Sequence, residues 1–236
     1  QGVINQASGP SQISQVNVGI APVTAKIVTW AKGYQYTIPE VSKALASNNW
    51  DVVTSKMQAL KRNWDLGIQA VSFLGFLPDL TNVPGLLTNS AVTANTSVIT
   101  ANISTLSAAD FSTLVATIIS TYFTNSNSTV LPDTFEIPMT DFLGLASPVS
   151  SSFPMVSKLT YLEDAFKRIT GNPNFKIYGS AYGDLANNAG YVSTPGKYRY
   201  VLYRNDPDSL KMDLPVDFIL TPAGTSNNFQ WQGIGA

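Results

Sequence analysis

The chain has 236 residues, of which 44% are hydrophobic and only 12% are charged, and its formal net charge is −1. This length and apolar content allow a sizeable core, whereas the balanced charge gives no general attraction to nucleic acid or to an anionic membrane. Histidine and cysteine are both absent, which excludes a Ser-His-Asp triad, a cysteine nucleophile, a disulfide framework and a zinc or haem site held by these residues.

Positive charge is confined to two parts of the chain. All fourteen Lys and Arg residues lie in residues 26–62 and 158–211. In residues 63–157 every charged side chain is therefore acidic. A change of composition of this kind indicates a section unlike its two flanks. We interpret the middle section as an inserted lobe, with chance clustering inside one domain as the alternative.

The first 36 residues have the pattern of a β-rich arm. Val16, Val18 and Ile20 recur at every second position, the period of a strand. The segment has no large aromatic residue before Trp30 and cannot build a core by itself, so we expect it either to be flexible or to pair with another chain. The residues predicted to make such contacts between subunits are Val16, Val18, Ile20, Ile27 and Trp30.

A helical section follows the arm. Residues 37–40, Thr-Ile-Pro-Glu, form a capping box with proline in the first turn, and the helix that they open should end near residues 47–49. A longer helix is predicted over residues 50–73, because its apolar residues recur in steps of three and four. We interpret this stripe as a face that packs in the core; its members are Val53, Met57, Leu60, Trp64 and Ile68.

The remainder of the chain alternates short helices and strands, which makes the predicted class α+β. Helices are expected from Ser107 to about residue 124, around residues 141–145, and from a capping box at residues 160–163 to Gly171. The last of these should bury Leu162, Phe166 and Ile169. Strands are expected at residues 134–137, 175–178 and 197–204, with shorter strand-like pieces at residues 212–214 and 229–231.

Few acidic residues suggest catalysis or metal binding. Asp133 and Glu136 could act as a general acid and base, but no partner group is visible in the sequence. Asp206 and Asp208 flank a proline, and this arrangement favours a turn over a cation site. We predict a chain that is not an enzyme and has no catalytic residue, cofactor or metal ion.

Three basic residues lie among tyrosines near the C-terminal end, namely Lys197, Arg199 and Arg204. This combination could stack on nucleic acid. A solvated face or an interface is the interpretation that we favour for so few charges. No stretch is long and apolar enough to cross a bilayer, so we predict no membrane contact.

The order of four motifs resembles the major capsid proteins of tailed bacteriophages. The first motif is a strand ending in Gly-Tyr-x-Tyr-Thr that enters a helix, and the second is a long helix that exits through Leu-Gly and Asn-Val-Pro. The third is Pro-Asp-Thr-Phe-Glu-Ile-Pro, and the fourth is Tyr-x-Asn-Asp-Pro-Asp-x-Leu-x-x-x-Leu-Pro. They lie in residues 30–40, 67–84, 132–138 and 203–215, respectively.

The resemblance implies the Hong Kong 97-type capsid fold, shared with encapsulins. In that fold an extended β-hairpin arm accompanies a peripheral domain with a long spine helix and an axial domain. On this chain the arm would be residues 1–36 and the axial domain residues 76–190. The peripheral domain would combine residues 37–75, with the spine helix at 50–73, and residues 191–236.

The same resemblance implies a structural function. The chain would self-assemble through pentamers and hexamers into an icosahedral phage head that encloses double-stranded DNA and contacts it without sequence specificity. Portal, scaffold or decoration proteins would be further partners. The location would be the virion, after assembly in the bacterial cytoplasm. A secreted or surface-bound adhesion module is the alternative, since low charge, absence of cysteine and abundant Ser, Thr and Asn suit that class as well.

Overall fold

A computed structural model describes residues 26–47, 51–92, 94–191, 198–227 and 230–235. The helices are α1 (Ile38–Ala46), α2 (Val52–Leu74), α3 (Ala108–Asn125), α4 (Met139–Gly144), α5 (Lys158–Thr170) and α6 (Leu185–Asn188). The strands are β1 (Lys32–Thr37), β2 (Thr134–Pro138), β3 (Lys176–Ser180), β4 (Val201–Tyr203), β5 (Leu220–Asn227) and β6 (Gln230–Gly235). The mixture of helices and strands confirms the α+β class.

Strand β2 is the centre of a three-stranded sheet with the order β3-β2-β4, which we call the core sheet. It runs parallel to β3, with Phe135 opposite Ile177, and antiparallel to β4, with Phe135 opposite Leu202. All five residues of β2 are buried. The sheet packs against α3 and α5 through a single cluster of buried apolar side chains, in which Phe111, Phe166 and Ile137 are fully enclosed. The main hydrophobic core of the described chain therefore lies around β2.

A second three-stranded sheet, the tail sheet, has the order β1-β6-β5 and is antiparallel throughout. Its middle strand pairs with β1, so that Tyr36 lies opposite Trp231. The last residues of the segment expected as an arm therefore pair with the C-terminal tail of the same chain. Strand β5 was not predicted from the sequence, whereas the piece expected at residues 212–214 forms no strand.

Strand β4 lies in a different sheet from the rest of the tail. Residues 201–203 pair with β2 in the core sheet, whereas β5 and β6 form the tail sheet with β1. The predicted domain boundary at residue 191 stays a prediction. Strand β4 lies beside β2 because Tyr200 and Leu202 pack against the cluster of buried apolar side chains. The tail separates from the core sheet only after Tyr203. Strand β4 is also shorter than the predicted strand at 197–204.

Helix starts follow the predicted side-chain caps in two of three cases. Thr37 accepts a hydrogen bond from the N–H of Glu40, and Ser107 accepts one from the N–H of Asp110, as the sequence predicted. Helix α5 differs, because its cap is Ser157, whose hydroxyl accepts from the N–H of Thr160. The capping box expected at residues 160–163 is therefore wrong, and the helix begins earlier.

The ends of α5 and α2 depend on glycine. Gly171 ends α5 in the left-handed conformation, at φ 67°, as predicted. Helix α2 ends at Gly75, with φ 83°, where the chain turns back and Gly75 bridges Pro84. A Cβ atom on Gly85 would lie only 2.3 Å from the main-chain N of Gly75. These two glycines allow the close approach that forms the exit of the long helix.

Candidate assembly surfaces

Helix α2 contacts β1 and the chain before it through one face. Lys56 donates a hydrogen bond of 2.8 Å to the carbonyl of Gln35, and Lys32 donates one of 3.0 Å to the side-chain oxygen of Asn63. The ring of Trp30 lies against Gly67, where an added Cβ would be 3.1 Å from it. Residues 56, 63 and 67 are spaced by seven and four residues, which places them on one side of a helix.

This contact face is not the predicted apolar stripe. Leu60 lies between Lys56 and Asn63 on the contact face, and it is the one stripe residue of the five predicted that is buried. The other four are only half-buried in the single chain: Val53, Met57, Trp64 and Ile68. The interpretation of the whole stripe as core therefore stays a prediction, and the contacts with β1 use a neighbouring face of the helix.

Trp64 contacts the segment that precedes the tail sheet. Its ring packs edge-on against Phe218, with ring centroids 5.6 Å apart. Phe218 precedes the tail sheet, so this contact fixes the tail along α2. Together, Trp30 at Gly67 and Phe218 at Trp64 bring the two ends of the described chain to neighbouring turns of the same helix.

The predicted arm residues fall into two groups. Val16, Val18 and Ile20 lie outside the described residues. Ile27 is 67% exposed. Trp30, 39% exposed, contacts α2 of its own chain. Their contact with a second subunit stays a prediction.

A buried carboxylate that sequence reasoning missed organises the end of the core sheet. Asp141, on α4, is 1% exposed. It accepts hydrogen bonds from the main-chain N–H groups of Ile103 and Ser104, at 2.8 and 2.9 Å, and from the hydroxyl of Tyr200 at 2.8 Å. Burial and the neighbouring carboxylate raise the pKa of Tyr200 above its usual range, so the hydroxyl keeps its proton as the donor. Asp141 therefore joins three separate segments.

A buried lysine holds the same turn from its carbonyl side. Lys158, the first residue of α5, donates hydrogen bonds to the carbonyl oxygens of Ser104 and Leu106, at 2.5 and 2.9 Å. Asp141 thus satisfies two donors of the 3-10 turn at Ile103–Thr105, and Lys158 satisfies one of its acceptors and the carbonyl that follows it. No sequence signal pairs these residues, because the turn that links them is 37 positions or more away from each.

The candidate acid–base pair has structural roles in the described chain. Asp133 accepts hydrogen bonds from the N–H of Asn205 and from the hydroxyl of Thr134, both at 2.8 Å. Burial raises the pKa of Glu136 to about 7, against the opposing effect of a hydrogen bond with Ser180. Asp133 precedes β2 and Glu136 lies in its middle. The two carboxyl groups engage different partners, so they form no shared reaction site.

Among the remaining polar candidates, Asp206 and Asp208 form the turn that the sequence favoured. Asp206 accepts from the N–H of Asp208 and forms an ion pair of 2.7 Å with Arg204, which is the geometry of a turn. Arg199 borders a groove of about 990 Å³ between α3 and the loop at residues 86–102. Lys197 lies outside the described residues.

In residues 26–47, 51–92, 94–191, 198–227 and 230–235, no group of three or more metal-binding side chains comes together. None of the helices in the same ranges has the length and apolar content that a membrane span requires.

The fold resembles that of a tailed-phage capsid subunit. A chain from the solved structure titled "The capsid of Myoviridae Phage XM1" superimposes with a TM-score of 0.63 at 14% sequence identity. The likeness covers 87% of this chain and 65% of that chain, so the sequence spans about two-thirds of the length of its structural relative. No curated protein matches the sequence of this chain.

The family comparison agrees with the fold. The major capsid protein family matches residues 4–235. The chain therefore belongs to the major capsid protein family. This result confirms the resemblance drawn from the four motifs, and neither comparison favours an adhesion module.

Proposed function

We propose that this chain is the structural subunit of an icosahedral phage head that encloses double-stranded DNA. The observation that carries the proposal is the family match over residues 4–235, which the tailed-phage capsid fold accompanies. The role is structural and not catalytic. Pentamers and hexamers of the subunit form the shell, and each weak contact is repeated many times, which makes the closed assembly stable.

In this proposal the roles follow the predicted domains, except that β4 belongs with the core sheet. Residues 1–36 act as an arm that contacts a neighbouring subunit through residues 16–20 and Ile27. Helix α2 is the spine of the peripheral domain, and its half-buried stripe becomes covered on assembly. The core sheet with α3 and α5 belongs to the axial domain. Low charge suits this use, because close-packed copies then repel each other little.

Further partners follow from the same role. DNA inside the shell is contacted without sequence specificity, since the net charge of −1 provides no strongly basic face. Portal, scaffold or decoration proteins complete the head. The subunit assembles in the bacterial cytoplasm and remains in the virion.

The decisive experiment is negative-stain electron microscopy with mass photometry of the purified full-length protein. We expect closed shells of megadalton mass. The matched variant lacks residues 1–22, and we expect it to be folded by circular dichroism but unable to form shells. A full-length protein that stays monomeric at high concentration would contradict the proposal, whereas normal shells from the deletion variant would contradict only the role of the arm.

A further inference from the structure

An exposed apolar row precedes the tail sheet. Apolar side chains at every second position of residues 210–216 are 39–59% exposed: Leu210, Met212, Leu214 and Val216. Between them, Lys211 and Asp213 form an ion pair of 2.9 Å. Alternation with period two is the pattern of a strand with one apolar face. The row thus has the side-chain pattern of a strand, although it belongs to neither sheet.

The main chain of this segment is also free to pair. Within the described ranges, the main-chain N–H and C=O groups of residues 211–217 make no hydrogen bond, and Pro215 offers only its carbonyl. Both ends are nevertheless fixed, because Leu210 donates its N–H to the carbonyl of Asp206 at 2.8 Å and Phe218 packs on Trp64. A segment that is anchored at both ends, unpaired between them and bent only at residues 215–216 is a ready acceptor for an added strand.

We propose that residues 210–216 are the acceptor for residues 16–20 of a second copy of this chain, which add to them as a β-strand. The inference rests on the proposed shell function and specifies which surface of one subunit receives the arm of the next. Hydrogen bonds between the two main chains supply the affinity, and the two apolar rows, Val16-Val18-Ile20 and the row defined above, cover each other on one face.

The charge and the length of the N-terminal segment support residues 16–20 of a second copy as the occupant. The first 25 residues carry no charged side chain, and Lys211 and Asp213 neutralise each other, so the paired strands leave no charge without a partner. The described chain begins at Lys26, whose ammonium group pairs with Asp79 beyond the end of α2. From that anchor, six to ten extended residues span about 20–35 Å, which is enough to reach a neighbouring subunit.

The absence of native cysteine provides a clean test by disulfide cross-linking. Single variants Val18→Cys and Met212→Cys, carrying tags of different size, are mixed, assembled and oxidised. Leu214→Cys and Val216→Cys are tested beside Met212→Cys, because the strands can pair in more than one register. Lys211→Cys is the matched control, since its side chain points to the opposite face of the segment.

We expect a mixed disulfide dimer with at least one of the three acceptor variants, at a yield at least tenfold above that of Lys211→Cys. Shells that form without this cross-link, or with equal linkage to both faces, would overturn the inference while the shell function stands. In a Val18→Cys/Met212→Cys double variant, a purely intramolecular disulfide would overturn the second copy as the occupant. Absence of shells by microscopy would contradict the proposed function, and the inference with it.

Discussion

The main-chain N–H of Asn205 donates a hydrogen bond of 2.8 Å to Oδ1 of Asp133, across 72 positions of sequence. The same aspartate donates its own N–H to the carbonyl of Tyr203 and accepts at its carbonyl from the N–H of Lys176. Asp133 therefore ties together the start of β2, the start of β3 and the turn after β4. Two of the motifs that carried the capsid resemblance, residues 132–138 and 203–215, meet at this residue.

Replacement of Asp133 tests this link. Asp133→Ala removes the acceptor for the N–H of Asn205, and we expect a loss of about 1–3 kcal/mol in the free energy of unfolding. Asp133→Asn keeps a side-chain oxygen and should lose less. Urea unfolding of the unassembled subunit measures both. Asp213→Ala, a change to a 75% exposed aspartate, is the control and should stay within about 0.5 kcal/mol of wild type; an equal loss in both aspartates would contradict the role of Asp133.

Asp141 should matter more than Asp133 for stability. Asp141→Ala leaves the N–H groups of Ile103 and Ser104 and the hydroxyl of Tyr200 without an acceptor in a buried site. We expect the free energy of unfolding to fall by about 3–5 kcal/mol, and by about 1–2 kcal/mol for Tyr200→Phe, which removes one of the three donors. Denaturant titration followed by tryptophan fluorescence measures both losses. Loss of the same size from each variant would show that the two main-chain bonds contribute nothing.

A close approach between α4 and the turn at Ile103–Thr105 makes a steric prediction. An added Cβ on Gly144 would lie 2.5 Å from Cβ of Ser104, well inside contact distance. Gly144→Ala should therefore destabilise the subunit by about 1–3 kcal/mol, since the two elements must move apart. Ser104→Gly removes the obstructing atom, and the double variant should recover most of the loss. Additive effects in this double-mutant cycle would show that the two positions do not clash.

Glu136 predicts a specific pH dependence. Its pKa in the folded chain is raised to about 7 from an ordinary value of 4.5, mainly by burial. The folded state then holds a proton that the unfolded state has lost between these two values, so stability is fully present below about pH 4.5 and falls as pH rises through 7. The groups around this carboxyl are Ser180, which bonds to it, and Tyr203, whose pKa is itself raised to about 12 by burial and by nearby acidic groups.

Glu136→Gln provides the measurement. We expect the variant to equal wild type near pH 4.5 and to be more stable than wild type at pH 8, by roughly 2–3 kcal/mol. The difference between the two proteins, taken from urea unfolding at each pH, removes the contribution of every other carboxylate. A difference that stays constant from pH 4.5 to 8 would mean that Glu136 titrates normally in the folded chain.

Local chemistry determined much of what the sequence predicted correctly. Thr37 and Ser107 cap their helices through hydrogen bonds to residues only three positions away. Gly171 ends α5 because glycine adopts a positive φ without steric cost, which depends on that residue alone. The α5 cap was placed wrongly because Ser157 and Thr160 are both residue types that cap helices. In the structure Ser157 accepts from the N–H of Thr160, and the next residue, Lys158, bonds to the distant carbonyls of Ser104 and Leu106.

The faces of α2 illustrate the limit of periodicity. The repeat of apolar residues in steps of three and four correctly located a helix at Val52–Leu74, but it did not identify the contact face. Lys56, Asn63 and Gly67 select that face through hydrogen bonds and a close aromatic contact with the segment before α1. Such contacts join residues that are more than 20 positions apart, and hydrophobic spacing carries no information about them.

The sequence by itself therefore determined the helix caps at Thr37 and Ser107, the strand β2, the class of fold and, through the order of four motifs, the family. Only the tertiary structure decided the placement of β4 in the core sheet, the pairing of β1 with β6, and the shared turn between Asp141 and Lys158. The physical reason is range: caps and periodic patterns act within one or two turns, whereas sheet order and buried polar contacts depend on which distant segments the folded core brings together.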